Sequence, residues 1–325
     1  MELKPMTHDD DSRAAWNTFV ASSPAGTIFH KTYWLDAWGG KYDILGIYEG
    51  STLMGGFAAP YRAFSSQKTV ATPSFAPYSG LIYREADGKT VTRTSKEKDV
   101  SATLAASLKK YYRWGTVSFH HAVTDLQPFI WDGFDVYIGY TYILDISDLD
   151  KTLRNMSRQR TQNIKKAASS GLKVKTSATF DEIVPLIKET YKTQGIDFPE
   201  SLVRRYEKEL SKRNTCRSFL CTDNADNPLA AYFLVWDEKR AYTLLAGHYP
   251  EKGNAFAGPF CFWEAVKFAS CELGLKELDH AGSMIPRVER FVRDFGGRIT
   301  PYYGVRWGNG LGLMTRVYKL LRRCL

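Results

Sequence analysis

YTYILDISDLDKTLRNMSRQRTQNIKKAASSGLKV, residues 140–174, is the stretch whose reading decides how the chain is organised. Its first seven residues, YTYILDI, form a largely apolar run that reads as a strand. The following residues read as one helix over 149–168. At 100° per residue, Lys151, Arg154, Arg158, Gln162 and Lys165 fall within one narrow arc, and Leu149, Leu153, Met156, Ile164 and Ala167 fall opposite. Such a basic stripe holds phosphates of a substrate or a tRNA, or is simply a solvated face; the pattern fits both. Arg160 lies within the apolar arc. An inward arginine must be paired or reach back to water, so it serves either a cleft or a structural ion pair.

Working outward, the same order of elements appears on both sides of this stretch. Upstream, Phe29, Tyr33, Trp34, Ala37 and Trp38 have the three-and-four spacing of a helix, and strands follow at 43–49, 52–61 and 68–72. Gly50-Ser51 joins the first two as a hairpin turn. Residues 84–101 are polar and read as a loop, before a helix at 102–114 and a strand at 116–122. Downstream, helices are expected at 180–194 and 199–213, with Pro199 suited to a helix start. Strands follow at 217–222, 229–236 and 241–248, then a helix at 259–273 stopped by Gly274. A strand at 276–281, a short helix at 286–295 and a strand at 300–307 complete the pattern. Helix, strand meander, helix and strand, seen twice, is an α/β (α+β) layer pattern with mixed sheets. It predicts two domains, 1–145 and 146–310.

The 325 residues, 44% hydrophobic and 24% charged, are enough for two cores and exclude wholesale disorder. The net charge of +9 points to an anionic partner, such as a nucleotide, nucleic acid, phospholipid or phosphorylated substrate. The acidic start MELKPMTHDDD is unlike a signal peptide, and no run of eighteen apolar residues exists, so a cytoplasmic protein without a transmembrane segment is expected. Five cysteines without C-x-x-C spacing fit reduced thiols. No metal site is expected: no Cys/His set has ligand spacing, and the adjacent His120 and His121 would point to opposite faces of a strand. Gly88-Lys89-Thr90 lacks the first glycine of a phosphate loop, since position 83 is Tyr83. The fingerprints of dinucleotide binding, serine hydrolysis and zinc proteolysis are missing as well.

Four segments together resemble the FemAB family of tandem acetyltransferase-fold (GNAT-like) enzymes. They are residues 140–174, the turn and strand at 223–236, FCFWEAVKFASCELGLKELDHAGS at 260–283, and VERFVRDFGGRITPYYGV at 288–305. In the first half FHKTYWLDAWG (29–39) and APYSGLIY (76–83) match in outline. The resemblance implies two tandem GNAT-like domains and transfer of an acyl or aminoacyl group onto an amine, in this family on cell-envelope or peptidoglycan precursors. It implies acyl-CoA or aminoacyl-tRNA as donor substrate, with no permanently bound cofactor. Relatives often carry a lysine where this chain has Val292, so that role does not transfer; Arg290 and Arg293 flank it.

Amide formation needs proton removal from the amine, stabilisation of the tetrahedral oxyanion and a held donor. In acetyltransferase folds, amides of a splayed strand serve the oxyanion, which here implies Ala246–Tyr249. Asp279 and His280 are candidate proton acceptors, and Tyr302 a candidate cleft residue. Equally, Asp279 can cap a turn and His280 can pack between helix and sheet. The loop before the helix at 259 offers Lys252, Gly253, Asn254 and Ala255 to a donor's pyrophosphate, although Glu251 and Pro259 oppose it. Arg154, Arg158, Arg160, Lys165, Arg290 and Arg293 are candidate contacts to an anionic acceptor. The tail 311–325 reads as an amphipathic basic helix that packs on the first domain or rests on an anionic membrane surface. The competing function is a catalytically inactive GNAT-like binder of an anionic ligand or nucleic acid, tRNA included.

Overall fold

The computed structural model describes residues 1–64, 67–70, 72–249, 255–282 and 284–308. The tail 311–325 and the loop residues Lys252, Gly253 and Asn254 therefore lie outside the described residues. The described chain divides into two compact units: Tyr140–Thr300, and Met1–Gly139 together with the stretch from Pro301 to Gly308. The change of unit falls at 139/140, inside a strand, rather than after residue 145.

In the first unit the elements in chain order are β1 (Glu2–Pro5), α1 (Asp10–Ser22), α2 (Thr32–Trp38), β2 (Lys41–Glu49), β3 (Thr52–Phe64) and β4 (Gln67–Val70). β5 (Leu81–Tyr83), α3 (Thr90–Tyr111), β6 (Trp114–Ser118) and α4 (Gln127–Trp131) follow, and β7 (Asp135–Asp145) carries the chain into the second unit. Asp9 starts α1 by accepting the Ser12 N–H at 2.8 Å. The helix expected around Phe29–Trp38 is a 3-10 turn, Ile28–His30, followed by α2. The expected loop at 84–101 is instead the first half of α3. Its inward positions, Val100, Ser101, Leu104, Ala105 and Leu108, come late, and its first turns are solvated and polar, which is why they read as a loop. β6 ends at Ser118, so His120 and His121 do not alternate on a strand; their rings lie 3.9 Å apart.

β1, β2 and β3 are antiparallel. β4 pairs with the end of β3 and β5 with its middle, at Gly55–Phe57. β4 and β6 are parallel. The final strand of the chain, β13 (Arg298–Trp307), returns to pair antiparallel with β6, Gly304 opposite Ser118 and Trp307 opposite Gly115. Its Val305 and Trp307 complete a core with Trp16, Phe57, Leu104, Val117 and Phe129.

The second unit contains α5 (Leu149–Asn155), α6 (Arg158–Ser169), β8 (Lys173–Ala178), α7 (Phe180–Thr193), α8 (Glu200–Ser211) and β9 (Cys216–Thr222). β10 (Pro228–Trp236), β11 (Arg240–His248), α9 (Ala257–Lys267), β12 (Glu277–Asp279) and α10 (Pro286–Arg293) follow. The single helix expected at 149–168 is two helices. Met156 and Ser157 are extended between them, and the Ser157 hydroxyl caps α6 by accepting the Arg160 N–H at 3.2 Å. Serine competes for backbone hydrogen bonds and favours such a start. The basic arc therefore splits: Lys151 and Arg154 belong to α5, and Arg158, Gln162 and Lys165 to α6. A capping box between Thr179 and Glu182 starts α7. α9 ends in a π turn, Phe268–Glu272, before Gly274 takes φ +67°.

β8, β9, β10 and β11 are antiparallel neighbours; β12 lies parallel to β11 and antiparallel to the end of β7. One face, with Leu234, Trp236, Ala241 and Leu278, is buried under α6 and α9 through Ile164, Phe262, Trp263 and Phe268. Phe233 faces the other way, onto Phe180 of α7 at 5.2 Å. Full burial of a side chain such as Phe262 contributes roughly 2 kcal/mol, so these two apolar layers fix the register of the sheet.

Candidate functional site

β11 has nine residues, but β12 pairs only with its first three: Arg240, Ala241 and Tyr242 lie beside Glu277, Leu278 and Asp279. Past that point the two strands part, leaving a fork. Two features shape its β11 side. Phe233 pairs with Leu245 and Leu234 with Thr243, so Leu244 is an extra residue, a β-bulge that bends the strand at the fork. The second feature is the direction of the amides. Tyr249 donates its N–H to Leu229 of β10 at 3.3 Å, so alternation directs Leu245 and Gly247 to β10 and turns Ala246 and His248 to the open side. The His248 N–H indeed meets Thr190 Oγ1 of α7 at 3.0 Å. Ala246, exposed, keeps its N–H on the open edge. α7 can approach this strand because residue 247 is glycine: a Cβ there would lie 2.6 Å from the Ile187 backbone nitrogen.

The β12 side of the fork ends in a braced turn. Thr141 of β7 donates its hydroxyl to Asp279 Oδ1 at 2.6 Å, and the same carboxylate oxygen accepts the Ala281 N–H at 2.8 Å. The Gly282 N–H reaches Thr141 Oγ1 at 3.1 Å. These bonds hold Ala281 at φ 57°, a left-handed conformation costly for a residue with a Cβ. Asp279 is fully buried and is the hub of this turn. His280, 8% exposed, stacks on Phe262 with ring centroids 5.1 Å apart. Burial pushes its pKa down to about 3, so its imidazole is neutral at physiological pH. In that state it can form hydrogen bonds but is a weak proton acceptor. Tyr302 belongs to the first unit, where it packs against Tyr78 at 5.4 Å and over Gly139.

The basic candidates take different places within the second unit. Arg160 is inward, its side chain 12% exposed: it pairs with Asp294 at 3.7 Å, and its guanidinium lies over the rings of Phe291 and Phe295 at 4.2 and 5.1 Å. Burial lowers its pKa, and Asp294 opposes that shift. It thus ties α6 to α10. Arg154, Arg158, Lys165, Arg290 and Arg293 are exposed, and Arg293 pairs with Glu289 at 3.5 Å. Val292 is buried. Of the donor-loop candidates Ala255 is described, exposed just ahead of α9. A groove of about 570 Å³ between α7 and the loop before α8 is lined by Lys188, Lys192, Asp197 and Phe198, and none of the sequence-predicted residues borders it. Sequence reading missed Thr141 and Thr190. Threonine in or beside a strand is ordinary β composition, and nothing in one sequence marks which hydroxyl braces a turn. Among the described residues no cluster of metal-ligating side chains occurs and no helix is long and apolar enough to cross a membrane.

Residues 151–283 match the family model of the acetyltransferase (GNAT) domain. No curated protein matches the sequence. Among solved structures, FemX superposes with a TM-score of 0.69 at 12% identity, covering 98% of this chain and 100% of its own. A tandem GNAT protein from the clavulanic acid biosynthesis pathway gives 0.54 at 13% identity, with 95% and 99% covered. L-PGS from Bacillus licheniformis gives 0.54 at 10% identity, with 93% and 92% covered. The fold is the mixed α/β, tandem GNAT fold that the sequence predicts.

Proposed function

We propose that this chain, a tandem-GNAT-fold protein with an acetyltransferase (GNAT) domain at residues 151–283, transfers an acyl or aminoacyl group from an activated donor to an amine. The fork between β11 and β12 carries the reading. A parallel strand pair that opens beyond Tyr242 and Asp279 leaves a slot whose wall offers a main-chain donor, the Ala246 N–H. A donor carbonyl seated there becomes an oxyanion when the amine attacks. A fixed amide dipole aimed at that oxygen stabilises the transition state more than the ground state. Collapse of the tetrahedral intermediate breaks the bond to the carrier, which leaves as its thiol or hydroxyl with the proton that the amine gives up, and the amide remains. Acyl-CoA and aminoacyl-tRNA are the donors considered. The exposed arginines and lysines of α5, α6 and α10 suit an anionic acceptor. Cell-envelope precursors are the acceptor class that the FemAB resemblance of residues 140–305 implies.

The test replaces one amide. Because the Ala246 N–H faces away from β10, Ala246→Pro removes it without cutting that ladder. Transfer is assayed with acetyl-CoA and with aminoacyl-tRNA as donors, on UDP-linked muropeptides and on phospholipid vesicles as acceptors. The expected result is turnover by the native chain and a loss of about 100-fold or more in kcat for the variant, with the fold intact by circular dichroism. Donor binding without turnover by the native chain would instead support a non-catalytic binder.

A further inference from the structure

Two side chains at the apex of the fork hold buried polar atoms that find no hydrogen-bond partner among the described residues. Thr243 is the first residue of β11 past its last pair with β12, and His280 is the first residue of β12 past the same pair. Parallel strands in register point matched residues to the same face. Ala241 and Leu278, one alternation earlier, both lie in the core under α9, and His280 stacks on Phe262 of that helix. Thr243 and His280 therefore stand side by side on the α9 face, where the strands begin to part. Thr243 Oγ1 and His280 Nε2 are both buried, and among the described residues neither has a hydrogen-bond partner. A buried polar atom without a partner costs about 1–3 kcal/mol, so two at neighbouring positions are an arrangement that an apolar pair would better without loss of packing. The turn that presents His280 is itself braced in a costly conformation at Ala281 by Asp279 and Thr141. The cost of holding this imidazole in place has an explanation if something else completes its hydrogen bonds.

We infer that Thr243 and His280 form a recognition pair that hydrogen-bonds a neutral polar group of the bound donor. The chemistry limits that group. The imidazole is uncharged and the hydroxyl both donates and accepts, so the pair offers donors and acceptors without charge, which suits a hydroxyl or an amide. The group sits either on the transferred acyl portion or on the carrier arm next to the reacting ester or thioester. A site built to hydrogen-bond such a group rejects donors that lack it, because its own polar atoms are then left unpaired. Thr243 and His280 are thus specificity residues for the proposed transfer, and the inference rests on the fork being the donor site.

The experiment uses the full chain with Thr243→Val and His280→Phe, singly and together, and has two readouts. Without ligand, each variant is expected to melt no earlier than the native chain at pH 7.5, since each substitution removes an unpartnered polar atom and keeps the shape. With ligand, calorimetry compares acetyl-CoA, free CoA, alanyl-tRNA and uncharged tRNA. The expected result is a loss of tenfold or more in affinity per variant for whichever donor binds the native chain. A loss that persists with the free carrier places the recognised group on the carrier, and a loss seen only with the charged donor places it on the acyl portion. Melting several degrees earlier in Thr243→Val would show that the hydroxyl already has a partner and would overturn the inference. So would variants that keep full donor affinity. Failure of the functional reading has a different signature: a native chain that binds neither donor and transfers nothing.

Discussion

Thr190 Oγ1 accepts the backbone N–H of His248 at 3.0 Å, so a side chain on α7 takes the place of a missing strand at one position along β11. Thr190→Val leaves that amide without its partner next to the fork. The expected cost is about 1–2 kcal/mol in urea unfolding, and Thr190→Ser should retain most of the stability. Equal stability of the Val and native chains would mean that the bond contributes nothing.

Arg160 and Arg158 lie two residues apart on α6, yet they should behave oppositely. Arg160→Ala strips the cover from Phe291 and Phe295 and leaves Asp294 without its ion pair, for an expected loss of about 1–3 kcal/mol. Arg160→Lys should restore little, because an ammonium does not stack as a planar guanidinium does. Arg158→Glu, on an exposed position, should change stability by less than about 0.5 kcal/mol. Under the proposed function it should weaken acceptor binding, which calorimetry with a UDP-linked muropeptide reads directly.

The acid limb of stability should carry the mark of His280. The native imidazole stays neutral down to about pH 3, because burial disfavours its charge, whereas in the unfolded chain it protonates near its ordinary value of 6.5. Between those two values the unfolded state binds more protons, so stability falls as pH drops from about 6.5 towards 3. This one group contributes a slope of about 1.4 kcal/mol per pH unit. His280→Phe should flatten the unfolding midpoint across that window and leave the region above pH 7 unchanged in slope. An identical pH profile in the variant would show the histidine to be solvated.

Alkylation should discriminate sharply among the thiols. Burial pushes the Cys216 thiol up to about 11 and the Cys221 thiol up to about 12, and pushes the Cys261 thiol well up too. Cys271 is exposed. In a Cys324→Ser background, iodoacetamide at pH 8 should modify Cys271 within minutes and the others only on unfolding, as mass spectrometry of the native protein would record. Rapid modification of Cys221 would mean that the β9–β10 layer opens readily.

What could be read in advance follows from the range of the interaction involved. Long apolar alternations such as LAAYFLVW and AYTLLAGH announce strands, because a buried face needs every second residue. Gly274 and Pro199 mark helix ends through local backbone geometry. The break at Met156-Ser157 was hidden: the helical periodicity runs through it unbroken, and a single serine capping Arg160 decides the matter. α3 was hidden for the opposite reason, since its first turns bury almost nothing. The bulge at Leu244 and the outward Ala246 amide depend on how β10 and β12 align with β11. That is a relation between distant segments, and no local pattern encodes it. Asp279 and His280 were legible as polar residues ending a strand; their division into a turn hub and a neutral ring required the partners Thr141 and Phe262 to be in place.

The route of the chain through β7 and β13 has a consequence for how the protein is made. The second unit is one contiguous segment, whereas the first closes only when β13 lays Val305 and Trp307 beside β6. On a ribosome, residues 1–139 emerge first but wait for their last strand until some 160 further residues have been synthesised. Until then β6 presents an unpaired edge, the kind of surface on which nascent chains associate wrongly. The order of synthesis is thus the reverse of the order of completion, and a truncation just before residue 301 would remove a core strand from the half of the protein that was made first.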